Sequence, residues 1–249
     1  MYNLLIALAV GVVVTVAMKL LGFSVWAGLV PGVLAFLATY IVLARRVSLK
    51  VQALMTSVQG ELQGQPSSQR DLQQRIDRAV KTLESGLVWD KWQFLVGPEI
   101  HAQIGMLRYM AKDLPAAQPH LAKANPRNYM AKALEGALHY QRKDVPAMKA
   151  AFEAAAKAGK KENIVWAAYA WCLLQLKDRD GALAVLARGA EANPSDEKLK
   201  ASLTQLQNDK RLKMKPYEPL WWQFGLESPP PQMMGGGGGG GRRVQFTRR

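Results

Sequence analysis

Cysteine is nearly absent from this 249-residue sequence: Cys172 stands alone. An intrachain disulfide framework and a multi-cysteine metal site are therefore excluded. Its neighbours Ala170, Trp171, Leu173 and Leu174 are apolar, so Cys172 reads as a small buried hydrophobe rather than a reactive thiol. Acidic residues are also scarce. Lys and Arg total 33 against 19 Asp and Glu, for a formal charge of +14 and a pI near 10. Such a balance fits contact with an anionic surface, whether membrane, nucleic acid or an acidic partner. A phosphate-binding loop is missing as well. The glycine run at 235–241 follows no strand pattern and precedes no Lys-Ser/Thr.

What is abundant is apolar sequence near the start. Residues 2–21 (YNLLIALAVGVVVTVAMKLL) and 25–44 (VWAGLVPGVLAFLATYIVLA) are two runs of about 20 residues, each long enough to cross a bilayer core of about 30 Å as a helix. Neither contains an acid, a histidine or an arginine, so no transport pathway or proton relay has candidate residues there. Only Gly22, Phe23 and Ser24 separate the runs, which predicts a tight helical hairpin (1–46) acting as an anchor. A cleaved signal peptide fits poorly, because there is no basic start and a second apolar run follows at once. Ala7-x-x-x-Gly11 and Gly28-x-x-x-Gly32 are spaced for close helix packing, inside the hairpin or, alternatively, in a dimer. Arg45, Arg46 and Lys50 follow the second run, and the positive-inside rule then puts the remainder in the cytoplasm, at an inner membrane of bacterial type.

In the 47–96 region, Val47, Val51, Leu54, Val58 and Leu62 form one helical stripe, read as a stalk, a weak coiled coil or an amphipathic helix on the membrane. Ser68 and Asp71 have capping-box spacing and open a helix with Leu72, Ile76, Val80 and Leu83 on one face. Trp89, Trp92 and Phe94 are expected to pack against the helices after them.

A recurrence organises residues 97–213. Lys-Asp occurs at 112–113, 143–144 and 177–178, at intervals of 31 and 34 residues. Eight residues before each Asp stands a small residue (Gly105, Gly136, Ala170), and eight after it a large one (Leu121, Phe152, Leu186). Each unit reads as two helices joined at a Lys-Asp turn, the Asp capping the second helix and the Lys simply soluble. This pattern resembles tetratricopeptide (TPR) repeats over about residues 97–195, most closely in the third unit, where Trp166, Tyr169, Ala170, Asp178, Ala182, Leu186 and Pro194 all fit. Met148 replaces the usual alanine in the second unit, and the first is three residues short. The resemblance implies an all-α chain: a transmembrane hairpin, then an α-solenoid of about three helix-turn-helix units, closed by a capping helix at 196–213 that opens on Ser195.

The resemblance further implies a concave groove, lined by the first helices, that holds a peptide. The matching residues are Met106, Tyr109, Tyr140, Gln141, Trp171, Leu174 and Gln175; packing between helices is the alternative role for Tyr109, Tyr140 and Trp171. His101, His120 and His139 fall at unrelated positions of the repeat, so no converging metal ligands, no cofactor and no catalytic residues are expected. The 214–249 segment begins with KPYEPLWWQFGLE, whose Trp221, Trp222 and Phe224 either fold back over the repeats, dock on a partner or lie at the membrane interface. A Pro-then-Gly linker leads to Arg242, Arg243, Arg248 and Arg249, a basic tail for anionic lipid, an acidic protein or RNA. The order of parts resembles membrane-anchored TPR proteins of bacterial envelope assembly, without the paired cysteines that some of them carry. A scaffold that positions a partner protein is the expected function. Docking of nucleic acid or a ribosome through Lys210, Arg211, Lys213 and the arginine tail is the alternative.

Overall fold

The computed structural model describes residues 1–64 and 66–228. Among these the chain is all-helical and contains no strand. The elements are α1 (Tyr2–Leu20), α2 (Val25–Leu62), α3 (Gln69–Ser85), α4 (Val96–Met110), α5 (Leu114–Lys123), α6 (Tyr129–Gln141), α7 (Val145–Ala158), α8 (Asn163–Gln175), α9 (Arg179–Ala192) and α10 (Glu197–Gln207). Short 3-10 segments occur at Gly86–Lys91, Lys215–Tyr217 and Leu220–Phe224.

α1 and α2 form a hairpin whose seam is built from small residues. Ala7, Gly11, Gly28 and Gly32 are buried there, and a Cβ on Gly11 would stand 2.9 Å from the carbonyl oxygen of Gly32. The Thr15 hydroxyl donates to the Gly11 carbonyl (3.0 Å) and lies over Gly32, which a side chain at that position would displace. The outer surface is apolar and exposed, including Val13, Leu20, Trp26 and Leu34. Both helices are long and apolar enough to cross a membrane, with mean hydropathies of 2.2 and 2.1 over their most apolar windows.

The sequence predicts that α2 stops near Ala44 and that a separate stalk helix comes next. Instead α2 is a single helix of 38 residues, about 57 Å long at 1.5 Å per residue. No proline interrupts residues 45–62, so only polarity changes at residue 46. The far end of α2 is held by α3 and α4: Val58 joins a buried cluster with Ile76, Ala79, Val80, Leu83, Ile100 and Ile104. The stalk stripe is thus used within the chain. Ser68 caps α3 by accepting from the Asp71 N–H (3.1 Å), and Asp71 reciprocates one residue further out, at the Ser67 N–H (3.0 Å).

Beyond α3, α4–α5, α6–α7 and α8–α9 pack as pairs, and the first helices α4, α6, α8 and α10 neighbour one another in that order. Small residues set the crossings. A Cβ on Gly136 would lie 2.6 Å from the Phe152 ring, and one on Gly105 would lie 2.8 Å from Leu121. Phe152 is fully buried and stacks on Tyr169 of the next pair, ring centres 5.1 Å apart. Burial of such a ring contributes about 1.5–3 kcal/mol, and the aromatic pair roughly 0.5–1.5 more.

The lysines are exposed turn residues, as the sequence predicts, and their backbone carries a further feature. Lys112, Lys143 and Lys177 have φ of 62°, 61° and 63°, a left-handed conformation that costs an L-residue about 1 kcal/mol or more. The conformation lets the chain satisfy the carbonyls at the end of each first helix. Asp113, Asp144 and Asp178 donate their N–H to Arg108, His139 and Leu173, five residues back, and each lysine N–H reaches the carbonyl three residues back. The same aspartates then cap the second helices, accepting from Ala116, Ala147 and Gly181. One dipeptide closes one helix and opens the next.

α10 ends in the same way, with Asp209 at φ 55° and the Lys210 N–H on the Gln205 carbonyl. Its N-cap is Asp196, not Ser195, because the Asp196 carboxylate accepts from both Lys198 and Leu199. Asn128, Glu162 and Asp196, which precede α6, α8 and α10, are 34 residues apart. α10 is therefore bounded as the first helix of a further pair. No second helix comes after it among the described residues.

Candidate functional site: the first-helix face and the segment that crosses it

The residues expected to line a groove do share a surface, and that surface is covered. Tyr109 on α4 and Trp171 on α8 are only 4% and 8% exposed, and Met106, Tyr140 and Leu174 are partly buried beside them. Gln141 and Gln175 remain exposed at the edge. The cover is the chain itself. After α10, Met214, Tyr217, Trp221 and Phe224 turn inward at spacings of 3, 4 and 3, and all four are buried.

Tyr217 rests on α10, its hydroxyl 2.8 Å from the Ser202 hydroxyl and donating to the Lys198 carbonyl (3.2 Å). Trp221 packs on Trp171, ring centres 5.2 Å apart, and Trp171 in turn meets Tyr140 of α6 edge-on at 5.8 Å. At the far end the Tyr109 hydroxyl donates to the Phe224 carbonyl (2.6 Å) and accepts from the Gln141 amide (2.9 Å). The Trp221 indole N–H donates to Glu227 (2.8 Å), and Gly225 takes the positive φ, 56°, that turns the chain there. Residues 214–227 therefore run from α10 past α8 to α4. The Trp-rich segment folds back over the helix pairs.

Burial raises the Tyr109 phenol and the Cys172 thiol far above their ordinary values, and raises the Tyr217 phenol to about 12. All three stay protonated at neutral pH. The surface supplies aromatic area and hydrogen-bond donors, with Phe224 as its clearest acceptor partner. Beside it, Gln175, Arg179, Leu206, Lys210, Arg211 and Glu227 border an open cleft of about 510 Å³. A second open cleft, of about 740 Å³, is lined by residues of α7, α8 and α9. There Arg188 forms a two-point ion pair with Glu153 (2.8 and 2.7 Å) and lies over Trp166.

Two of the three histidines stand together. His101 on α4 and His120 on α5 meet, Nδ1 to Nδ1 at 3.0 Å, because their helices pair at the Gly105–Leu121 crossing. Burial holds both below the ordinary histidine value, and each has cationic neighbours that push the same way, Lys123 for both and Arg108 for His120. His139 lies elsewhere, 3.6 Å from Asp144. No group of three or more potential metal ligands occurs among the described residues. Arg242, Arg243, Arg248 and Arg249 lie outside them. Comparison with protein-family models, curated proteins and solved structures found no match for this chain.

Proposed function

We propose that this protein is a membrane-anchored scaffold of the tetratricopeptide type, which recruits a partner protein to its first-helix face at the cytoplasmic side of a bacterial inner membrane. In this reading α1 and the first half of α2 cross the bilayer. The cations Arg45, Arg46 and Lys50 favour a cytoplasmic location for the remainder. The observation that carries the reading is the seating of residues 214–227. An irregular segment with two prolines is held on the aromatic first-helix face by packing on Trp171 and by a bond from Tyr109 to a main-chain carbonyl. A surface that takes one irregular peptide through an aromatic anchor and a backbone contact has the chemistry to take another. The partner then displaces the C-terminal segment or extends along the edge that Gln141 and Gln175 leave open.

Affinity capture from detergent-solubilised membranes tests this reading with four baits: the intact chain, Phe224→Ala, the double variant Tyr140→Ala/Trp171→Ala, and a chain lacking residues 235–249. The same partner should be kept by the intact and tail-deleted baits, enriched by Phe224→Ala and lost by the double variant, with circular dichroism confirming that each bait is folded. Loss on tail deletion would instead favour the basic tail as the binding element. Absence of any partner above background with every bait contradicts the scaffold.

A further inference from the structure

Between α3 and α4 the chain makes an excursion, Gly86–Leu95 (GLVWDKWQFL), that the first-helix face does not use. It reaches the start of α1. The Asn3 N–H donates to the Trp92 carbonyl (3.3 Å), the Asn3 amide to Gln93 (3.2 Å), and the terminal ammonium of Met1 to the Lys91 carbonyl. Trp92 meets Tyr2 edge-on at 5.5 Å, Trp89 stands 6.5 Å from Trp92, and Lys50 of α2 places Nζ over the Trp89 ring at 4.4 Å. Val88 and Phe94 are 64% and 63% exposed. Large apolar side chains thus form a collar where α1 begins, and Met1, Leu4, Tyr40, Trp92 and Phe94 line a notch of about 310 Å³ beside it.

Charge and spacing both specify what covers this collar. Arg45, Arg46, Lys50 and Lys91 are exposed around it. The one acid of the excursion, Asp90, is also exposed but is outnumbered by these four cations, and it stands against Gly97 in the first turn of α4, so closely that a Cβ there would overlap its carboxylate. At the other end of the hairpin a second exposed aromatic pair, Phe23 and Trp26, flanks the turn. The 19 residues of α1 separate the two aromatic levels by about 28 Å, close to the roughly 30 Å of a hydrocarbon core. Aromatic rings concentrate at both faces of a bilayer, and cations beside them meet anionic headgroups.

We propose that Gly86–Leu95 is a second membrane contact, with Trp89, Trp92 and Phe94 in the headgroup layer and Arg45, Arg46, Lys50 and Lys91 on the phosphates of anionic lipids. The proposal rests on the reading that α1 and α2 cross the bilayer. It gives the continuous α2 a function, because a helix fixed at the bilayer surface by the collar holds the first-helix face at a set height and orientation.

Nitroxide labels on the full chain in lipid vesicles test it, at Phe94→Cys, at Val13→Cys in mid-α1 and at Lys160→Cys on the α7–α8 turn. Collision with a water-soluble nickel chelate and with oxygen is read in phosphatidylcholine with and without phosphatidylglycerol. The Phe94 label should resist nickel nearly as well as the Val13 label and collide with oxygen less often than it does. Phosphatidylglycerol should deepen that protection, and Lys50→Glu/Lys91→Glu should abolish the deepening. Nickel access at Phe94 equal to that at Lys160, with Val13 still protected, overturns the collar while leaving the anchor standing. Nickel access at Val13 overturns the anchor itself. Protection that ignores phosphatidylglycerol removes the anionic lipid from the proposal.

Discussion

Two aromatic clusters of similar composition lie in this molecule under opposite conditions. Tyr109, Trp171, Trp221 and Phe224 are sealed together, with their polar atoms largely bonded. Tyr2, Trp89, Trp92 and Phe94 sit at the foot of the hairpin, and Phe94 extends outward. Both stretches read alike in sequence, as tryptophan-rich interruptions of the helical pattern. The difference lies in what each segment faces. Residues 214–227 come after a helix that lacks a second helix to cover it, so the chain supplies that cover. Residues 86–95 meet the start of α1 and the near parts of α2 and α4, and still leave Val88 and Phe94 outward. An aromatic cluster therefore acquires its role from the surface left uncovered beside it.

The largest expected effect separates the clusters directly. Phe224→Ala should cost about 3–5 kcal/mol of stability in detergent, as for other buried rings, whereas Phe94→Ala should change it by no more than about 0.5 kcal/mol. Chemical denaturation followed by circular dichroism measures both, and equal losses would erase the distinction. Glycines sharpen it next. Gly136→Ala should cost about 1–3 kcal/mol because the added methyl meets the Phe152 ring, while Gly60→Ala, with open space around it, should gain about 0.5–1 kcal/mol.

The histidine pair gives a pH signature at the α4–α5 crossing. His101 and His120 titrate below their ordinary value of 6.5 when folded, so the unfolded chain binds protons first as pH falls. Their contribution to stability is complete above about pH 6.5 and is lost as pH falls from there through the lower folded-state values. A denaturation series against pH should show this acid-side slope, and His101→Gln/His120→Gln should flatten it. The smallest effect concerns the turns. Lys143→Gly removes left-handed strain but frees the unfolded chain, leaving a net gain of a few tenths of a kcal/mol, visible as a slight rise in melting temperature.

The hairpin and the helix pairs were readable because their signals are periodic and local: apolar runs free of acids, and small residues at fixed distances from Lys-Asp. The left-handed lysines were not, since a lysine side chain carries no mark of its φ. Continuity of α2 was hidden by the change from apolar to polar at residue 46, which alters the exposed surface without breaking the helix. The histidine pair was accessible in principle. His101 lies one turn before Gly105, His120 adjoins Leu121, and Gly105 and Leu121 are the crossing pair. Aligning the repeats compared positions between units and so missed a contact within one. The repeat spacing puts Tyr109, Tyr140 and Trp171 on equivalent helices, but it does not say which of three placements the Trp-rich segment takes. The spacing of Met214, Tyr217, Trp221 and Phe224 carried that information, obscured by Pro216 and Pro219, which argue against a helix.

The role of the first-helix face depends on residues 214–227 occupying it in the intact protein. Hydrogen–deuterium exchange on the full chain in detergent tests that occupancy most directly. Peptides spanning Tyr217–Gly225 should exchange slowly, and Phe224→Ala should speed exchange there and at the α4 and α8 ends that carry Tyr109 and Trp171. Complete exchange of that segment within seconds, with α8 equally protected in both chains, would contradict it.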